Sequence, residues 1–581
     1  MKNVKMLLCL LVCSFLTVAT CTGREKRKPV ITPDSQVYIV GGGIAGLAAA
    51  VFAVRDGKIP AKNVHVLEQM NFMGGAMDGE ACPVNGYKSR GARLINKKRY
   101  TCYWNLLDSI PVPEEQEAVM KEGQKPENLS AYDPKTSIKD EIFEYNQSGK
   151  LKLHASYSRI FGLNQKRLDS STYSLSFKDR MALIKLVAWE SEKDTSGKRI
   201  SDFFQPSFFK SNFWYMFSPL FGFDSWHSLT EFKRYLHRFI DDVDDLADLG
   251  REGWNTPYEN QSYVIKPIVK WLAYQGVDFQ FGCKVNDVDF KPSTTEKTIE
   301  RFYYKQNGQD KTITLNNGDY ILMSIGSKVA DSSEGTMDTT AELIRDKRDG
   351  SWTLWENMAK KQPDIMGHPE AFNSNINECK WAVWSLTSKS KFLYDHIMNF
   401  SKATVMGQQH IISFAESNWG YGLHIPFQPL YKGQPEDTTV YLGYTLIGNT
   451  KGNYINKEPH ECTGRELLAE MLYHFGIVDH LDEIAKESKI IFYNEPYVVS
   501  HWQPRKIGDR PDVVPKGSTN FALLGEYVEI PETSTYMVDY STQSAMMGIY
   551  TLLNVDKKVP KPHVTYHNPF VLLKALYHIS K

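Results

Sequence analysis

Three glycines, Gly41, Gly43 and Gly46, fall in the spacing G-x-G-x-x-G, with the small Ala45 just before the last of them. They follow residues 36–40 (QVYIV), a short β-branched run that reads as a buried strand, and they open the Ala-rich stretch 47–55, which reads as a helix. In that setting the pattern binds a diphosphate. Gly41 permits the tight turn, Gly43 lets the backbone approach the phosphates, and Gly46 lets helix and strand pack closely. The helix start then offers unpaired N–H groups and the positive end of its dipole. Glu68 ends a second strand at 63–68 (NVHVLE), where a carboxylate can accept from both ribose hydroxyls and disfavours a 2′-phosphate.

Three further features select FAD over NAD as the dinucleotide. Gly74-Gly75 follows the ribose carboxylate at the distance where many flavoproteins place a second glycine pair. A distant apolar strand, 521–524, runs into Gly525-Glu526, similar to the Gly-Asp ending that contacts the ribityl and phosphate groups in such folds. Residues 541–553 read as a helix whose start, at Ser541, aims its dipole at the ring.

The elements that must hold these groups belong to a large globular protein. The chain has 581 residues, 42% hydrophobic, enough for two to four domains of the usual size. Lys+Arg and Asp+Glu are both 68, so no global basic field recruits nucleic acid. Residues 36–68 form one βαβ unit. Residues 111–152 read as an exposed insertion or a lobe boundary. Residues 228–243 read as a helix, opened by a capping box between Ser228 and Glu231. Residues 279–281, 301–304, 312–315 and 320–324 read as sheet, with a turn at Asn316-Asn317-Gly318. At the end, Asn568-Pro569 caps an amphipathic helix, 570–579, whose apolar face suits docking on the protein body or a membrane surface.

Lys2 and Lys5, the apolar run 6–20 and the basic stretch 24–28 describe an export leader. About 15 apolar residues make a rod too short for a simple spanning helix. Cleavage as a signal peptide, lipidation at Cys21 and an uncleaved anchor all stay open; without a working leader the chain is expected in the cytoplasm. Beyond the leader core stand Cys21, Cys82, Cys102, Cys283, Cys379 and Cys462, with no C-x-x-C and no HExxH. Isolated buried thiols and no metal site are therefore expected.

Longer motifs carry a family resemblance: Arg90-Gly91-Ala92-Arg93, Ser211-Asn212-Phe213-Trp214, Trp226-His227-Ser228, Gly452-Asn453-Tyr454-Ile455, Glu461-Cys462-Thr463-Gly464 and Asp539-Tyr540-Ser541. From about residue 37 onward the chain resembles the oleate hydratases, flavoproteins also called myosin-cross-reactive antigens. The resemblance implies an α/β fold: a Rossmann-like FAD-binding domain, an α+β substrate domain and a helical C-terminal region, in a homodimer. The expected division is a leader at 1–28, FAD-binding segments at 29–110, 251–345 and 501–556, a helical lobe at 111–250, a substrate domain at 346–500, and a C-terminal helix at 557–581.

The family's reaction adds water to a cis double bond of a long-chain fatty acid. Such chemistry needs a proton donor at one carbon and an activated water at the other, in a dry channel. The resemblance implies a water-handling Glu directly after the Arg-rich stretch and a Tyr acid two residues after Ser-Asn-Phe-Trp. Leu94 and Met216 stand at those places, and neither side chain can move a proton. Tyr215, next to Met216, can serve as acid or pack among its aromatic neighbours. Gln261 matches a contact to the fatty-acid carboxylate. Arg90 and Arg93 can hold a flavin phosphate, a substrate carboxylate or a structural acid, and His227 is expected to bond at a helix entry. Three functions follow: an FAD-dependent hydratase of long-chain unsaturated fatty acids, a flavin-dependent redox enzyme or isomerase on the same lipids, or a non-catalytic fatty-acid-binding flavoprotein.

Overall fold

Strands Val37–Val40 and Val64–Leu67 pair in parallel, with Val37 opposite Val64, and their β-branched side chains are buried. The computed structural model describes residues 31–91, 93–121, 135–148, 160–168, 171–246, 253–407 and 411–580; the leader, Cys21 and Ala92 lie outside them. The two strands are central in a five-stranded parallel sheet in the order Phe521–Leu524, Tyr320–Ser324, Val37–Val40, Val64–Leu67, Asp278–Gln280. The first crossover is helix Ile44–Arg55. It is apolar all round, so it is buried between the sheet and neighbouring helices rather than laid on the surface.

A three-stranded antiparallel sheet, Cys283–Phe290, Ile299–Gln306 and Gln309–Thr314, hangs on this core. Its hairpin turns at Asn307-Gly308, both with positive φ, the mirror-image turn that matches strand twist. The Asn316-Asn317-Gly318 turn instead leads the chain into the parallel strand Tyr320–Ser324.

The second body is a seven-stranded, mostly antiparallel sheet in the order Ser333–Thr336, Ser488–Glu495, Trp381–Ser388, Thr439–Thr445, Tyr421–His424, Ile411–Phe414, Ile160–Phe161. Five strands come from residues 346–500, and Ile160–Phe161 and Ser333–Thr336 join from the flanking segments. Trp381–Ser388 is buried along its whole length, and helix Gly464–His474 contributes to a separate apolar core here.

The helix read over 228–243 is shorter, Leu229–Arg238, followed by a 3-10 turn at Ile240–Asp245. Asp241 and Asp242 both ion-pair with the buried Arg99, which draws the chain off the helical path. The capping box is half made. Ser228 Oγ accepts from Glu231 N–H at 3.3 Å, but Ser228 N–H donates to the Trp502 carbonyl at 2.7 Å. Glu231 turns instead to Arg505 and Arg510, at 2.8 and 3.1 Å. Burial pushes its carboxyl up, yet these guanidinium groups and Arg234 hold it at about 2. His227 is buried, and its Nδ1 accepts from Asp224 N–H at 2.8 Å, the helix-entry role read from its position. The cysteines among the described residues, Cys82, Cys102, Cys283, Cys379 and Cys462, are free thiols.

Candidate functional site

The carboxyl ends of four neighbouring parallel strands open into one cavity, the place where open α/β sheets bind ligands. Gly41, Gly43 and Ala45 form one wall, and Glu68, Gly74 and Gly75 a second. Arg90 and Arg93 close one end, and Gly525, Glu526 and Ser541 complete the lining. Gly46 stands behind the wall. A Cβ there would lie 1.8 Å from the Gly41 carbonyl oxygen, so helix and turn meet backbone to backbone. At Gly43 a Cβ would meet nothing within 4 Å, which leaves open space at the helix N-terminus.

Both Glu68 oxygens are oriented by the backbone. Gly42 N–H donates to Oε2 at 2.6 Å and Met70 N–H to Oε1 at 2.8 Å, leaving lone pairs for hydroxyl donors. Burial pushes this carboxyl up, while the two amide bonds pull it back. Helix Val538–Leu552 begins three residues before Ser541, so Ser541 lies one turn inside it. Ser544 Oγ accepts from Gly525 N–H at 3.0 Å and so ties this helix to the strand end. Open space at Gly43, free helix amides and an oriented carboxylate fit the diphosphate and ribose of a dinucleotide. Among the described residues no cluster of His, Cys, Asp or Glu is arranged for a metal ion.

The inner end is strongly charged. Arg90 bonds Asp78 at 2.6 Å and Glu495 at 3.1 Å and lies over the Tyr493 ring at 4.2 Å, so its partners are structural acids that tie the cavity loop to the second sheet. Burial raises both carboxyls, and Arg90 opposes the rise in each. Arg93 donates to the Ala76 carbonyl at 2.8 Å. Lys328 pairs with Glu526 at 2.9 Å and sits 4.3 Å from the Tyr536 ring centre, and burial lowers its ammonium. Sequence reasoning missed Lys328, Glu495 and Tyr536. Lys328 was findable, because it follows the carboxyl end of parallel strand Tyr320–Ser324.

Arg93 also lines a second cavity, beside Gly91, Tyr258, Asn260, His424 and Phe427. Burial lowers His424 to about 4, so its imidazole is neutral at pH 7. Gln261 lines neither of these cavities. Its Nε2 donates to the Met73 carbonyl at 3.0 Å, its N–H donates to Glu259 at 2.7 Å, and its Oε1 lies beneath Gly74. Leu94 is half-buried, with its carbonyl accepting from Tyr100 Oη at 3.2 Å, outside both linings. Tyr215 and Met216 are outside them too. Met216 is buried and Tyr215 half-buried, on helix Asn212–Phe221. Phe213 and Phe217 of that helix line a third cavity, wholly apolar, closed by Leu572, Leu576 and Ile579 of the C-terminal helix Pro569–Ser580.

The chain is similar to known proteins over most of its length. It is 32% identical to the oleate hydratase of Streptococcus pyogenes serotype M49 (strain NZ131), covering 95% of this chain and 91% of that protein. It is 26% identical to the linoleate hydratase of Lactiplantibacillus plantarum, covering 93% and 98%. Among solved structures, a putrescine oxidase superposes with a TM-score of 0.49 at 10% identity, covering 90% of this chain and 99% of that one. The profile of the MCRA family matches residues 34–550, and the chain belongs to that family.

Proposed function

We propose that this protein binds FAD and adds water to a cis double bond of a long-chain unsaturated fatty acid such as oleate, yielding a hydroxy fatty acid. The observation that carries this reading is the cavity at the strand ends, with open space at Gly43 and an amide-oriented carboxylate at Glu68. The amides at the start of helix Ile44–Arg55 hold the diphosphate, and Glu68 accepts from the ribose hydroxyls. Hydration is redox-neutral, so FAD supplies a charged, hydrogen-bonding surface to the site rather than net electrons. Arg93 and Lys328 line the end of the cavity where the ring is read to face the acyl chain. The apolar cavity beside the C-terminal helix supports an acyl substrate.

A second reading rests on Leu94 and Met216: a divergent member without the family acid and base, acting as a flavin-dependent redox enzyme or isomerase, or only binding lipid. One incubation separates the two. FAD-loaded protein, oxidised or chemically reduced, is given oleic and linoleic acids and the products are weighed by mass spectrometry. Gain of the mass of one water without consumption of an electron acceptor supports the hydratase. An isomer of unchanged mass, an oxidised product or no product supports the second reading. If hydration arises only in the Leu94→Glu, Met216→Tyr double variant, the natural chain has lost that chemistry.

The same reading extends to three associations. The family resemblance supports a homodimer, which sedimentation tests. Residues 1–28 support export or lipidation at Cys21, which mass analysis of the mature N-terminus tests. Phe570, Leu573 and Tyr577 are exposed at i, i+3 and i+7 on the C-terminal helix, which supports peripheral membrane contact. Among the described residues no helix is long and apolar enough to cross a membrane.

A further inference from the structure

Tyr536 is the only aromatic residue among the described non-glycine positions with positive φ, at +73°. A bulky side chain persists in that conformation only where its surroundings over-determine it, and such positions gather at functional sites. Here the backbone is pinned just before it, at Thr535. Tyr235 Oη donates to the Thr535 carbonyl at 2.6 Å, and Thr535 Oγ1 donates to the Glu526 carbonyl at 3.0 Å. The ring stacks on His501 (centroids 5.0 Å apart, planes 11° apart) and tilts against Trp502 at 4.7 Å, with Lys328 Nζ 4.3 Å from its centre.

Every residue of that cage is buried: Thr535, Met537, His501, Trp502 and Lys328. Tyr536 nonetheless keeps accessible surface. Lys328, which its ring contacts, lines the cavity together with Glu526 and Val538. The charged groups acting on its hydroxyl are Arg93, Glu526 and Glu495. Burial pushes the phenol up, with Arg93 opposing, so the O–H is intact at neutral pH, the state a proton donor needs.

We propose that Tyr536 is the proton donor of the hydration reaction, in place of the family tyrosine that Met216 replaces. This rests on the hydratase reading above. The Tyr536 O–H bond breaks and a C–H bond forms at one alkene carbon, while a water oxygen bonds to the other. The proton that water then loses returns to the phenolate, so the atoms balance with water as the only co-reactant and no oxidant or reductant. Arg93 stabilises the transient phenolate.

The test compares wild type with Tyr536→Phe, both loaded with FAD. The conservative variant removes only the hydroxyl. Turnover of oleate to its water adduct is expected to fall about 100- to 10,000-fold, with FAD quenching and equilibrium binding of oleate unchanged within about twofold. Hydration by the variant at the wild-type rate overturns the assignment and leaves the hydratase reading standing. Loss of FAD or oleate binding in proportion to turnover also overturns it, by making Tyr536 a binding residue. Absence of any water adduct from wild type overturns both.

Discussion

Replacing Gly43 and Gly46 by alanine, one at a time, separates a glycine that a ligand requires from one that the fold requires. At Gly43 the backbone is extended (φ −73°, ψ 179°) and a Cβ meets nothing within 4 Å, so alanine fits the apoprotein without strain. Two small effects oppose each other there. Reduced freedom of the unfolded chain stabilises by about 0.4–1 kcal/mol, and alanine is a poorer N-cap than glycine by a similar amount. Apoprotein stability is therefore expected to stay within about 1 kcal/mol of wild type. The new methyl group occupies the space assigned to the diphosphate, and overpacking of about 1–3 kcal/mol weakens FAD about 5- to 150-fold. At Gly46 the Cβ lies 1.8 Å from a backbone oxygen and must retreat by about 1.6–2 Å to reach ordinary contact. Because no side chain can swing aside, the cost falls at the upper end of that range and appears already in the apoprotein. Urea unfolding of both apoproteins and FAD titration followed by flavin fluorescence read the two quantities separately. Undiminished FAD affinity in Gly43→Ala would refute the cradle, and an undisturbed Gly46→Ala apoprotein would refute the backbone-to-backbone contact.

Three further outcomes follow from buried groups and surfaces. Arg90→Met strands Asp78 and Glu495 without their shared cation, so chemical denaturation should show a loss of about 3–5 kcal/mol; a loss below about 1 kcal/mol would mean the triad is not structural. Burial pushes Asp539 up to about 6, with Arg238 opposing. Between about 3.9, its unfolded value, and 6 the folded state holds a proton that the unfolded state has released, so stability falls as pH rises across that window, by about 3 kcal/mol in all. Asp539→Asn retains an acceptor for the Cys102 and Tyr103 amides and should flatten that slope in urea melts at pH 4 to 7. Serine at Phe570, Leu573 and Tyr577 together should reduce co-sedimentation with phosphatidylglycerol vesicles at least about tenfold, and unchanged co-sedimentation would remove the membrane contact.

The legible parts of this molecule are those where local residues act on one another. Residues 36–68 announce a βαβ unit because β-branched runs, glycine spacing and an Ala-rich helix all occur within one short segment. Gly525-Glu526 was readable because a strand end and a glycine adjoin. The seven-stranded sheet was not, since its register joins Ile160–Phe161 to Ile411–Phe414 and Ser333–Thr336 to Ser488–Glu495, strands far apart in sequence with many other elements between them. Side-chain choices hid in the same way. Glu231 has the spacing of a capping residue, but two arginines near residue 505 outbid a single backbone N–H. Leu94 and Met216 stand at positions that the resemblance marks for chemistry, whereas the charged groups at the cavity end, Arg90, Glu495, Lys328 and Glu526, come from four distant segments. Tyr536 was invisible for a further reason: its significance lies in a positive φ and in ring contacts that no local pattern encodes.

The most direct measurement is an experimental structure of the protein soaked with FAD and oleate. The diphosphate is expected against Gly43 and the start of helix Ile44–Arg55, the ribose hydroxyls on Glu68, and the ring at the Arg93–Lys328 end with the acyl double bond within reach of Tyr536. FAD density elsewhere, or an acyl chain that never approaches the ring, would contradict this arrangement.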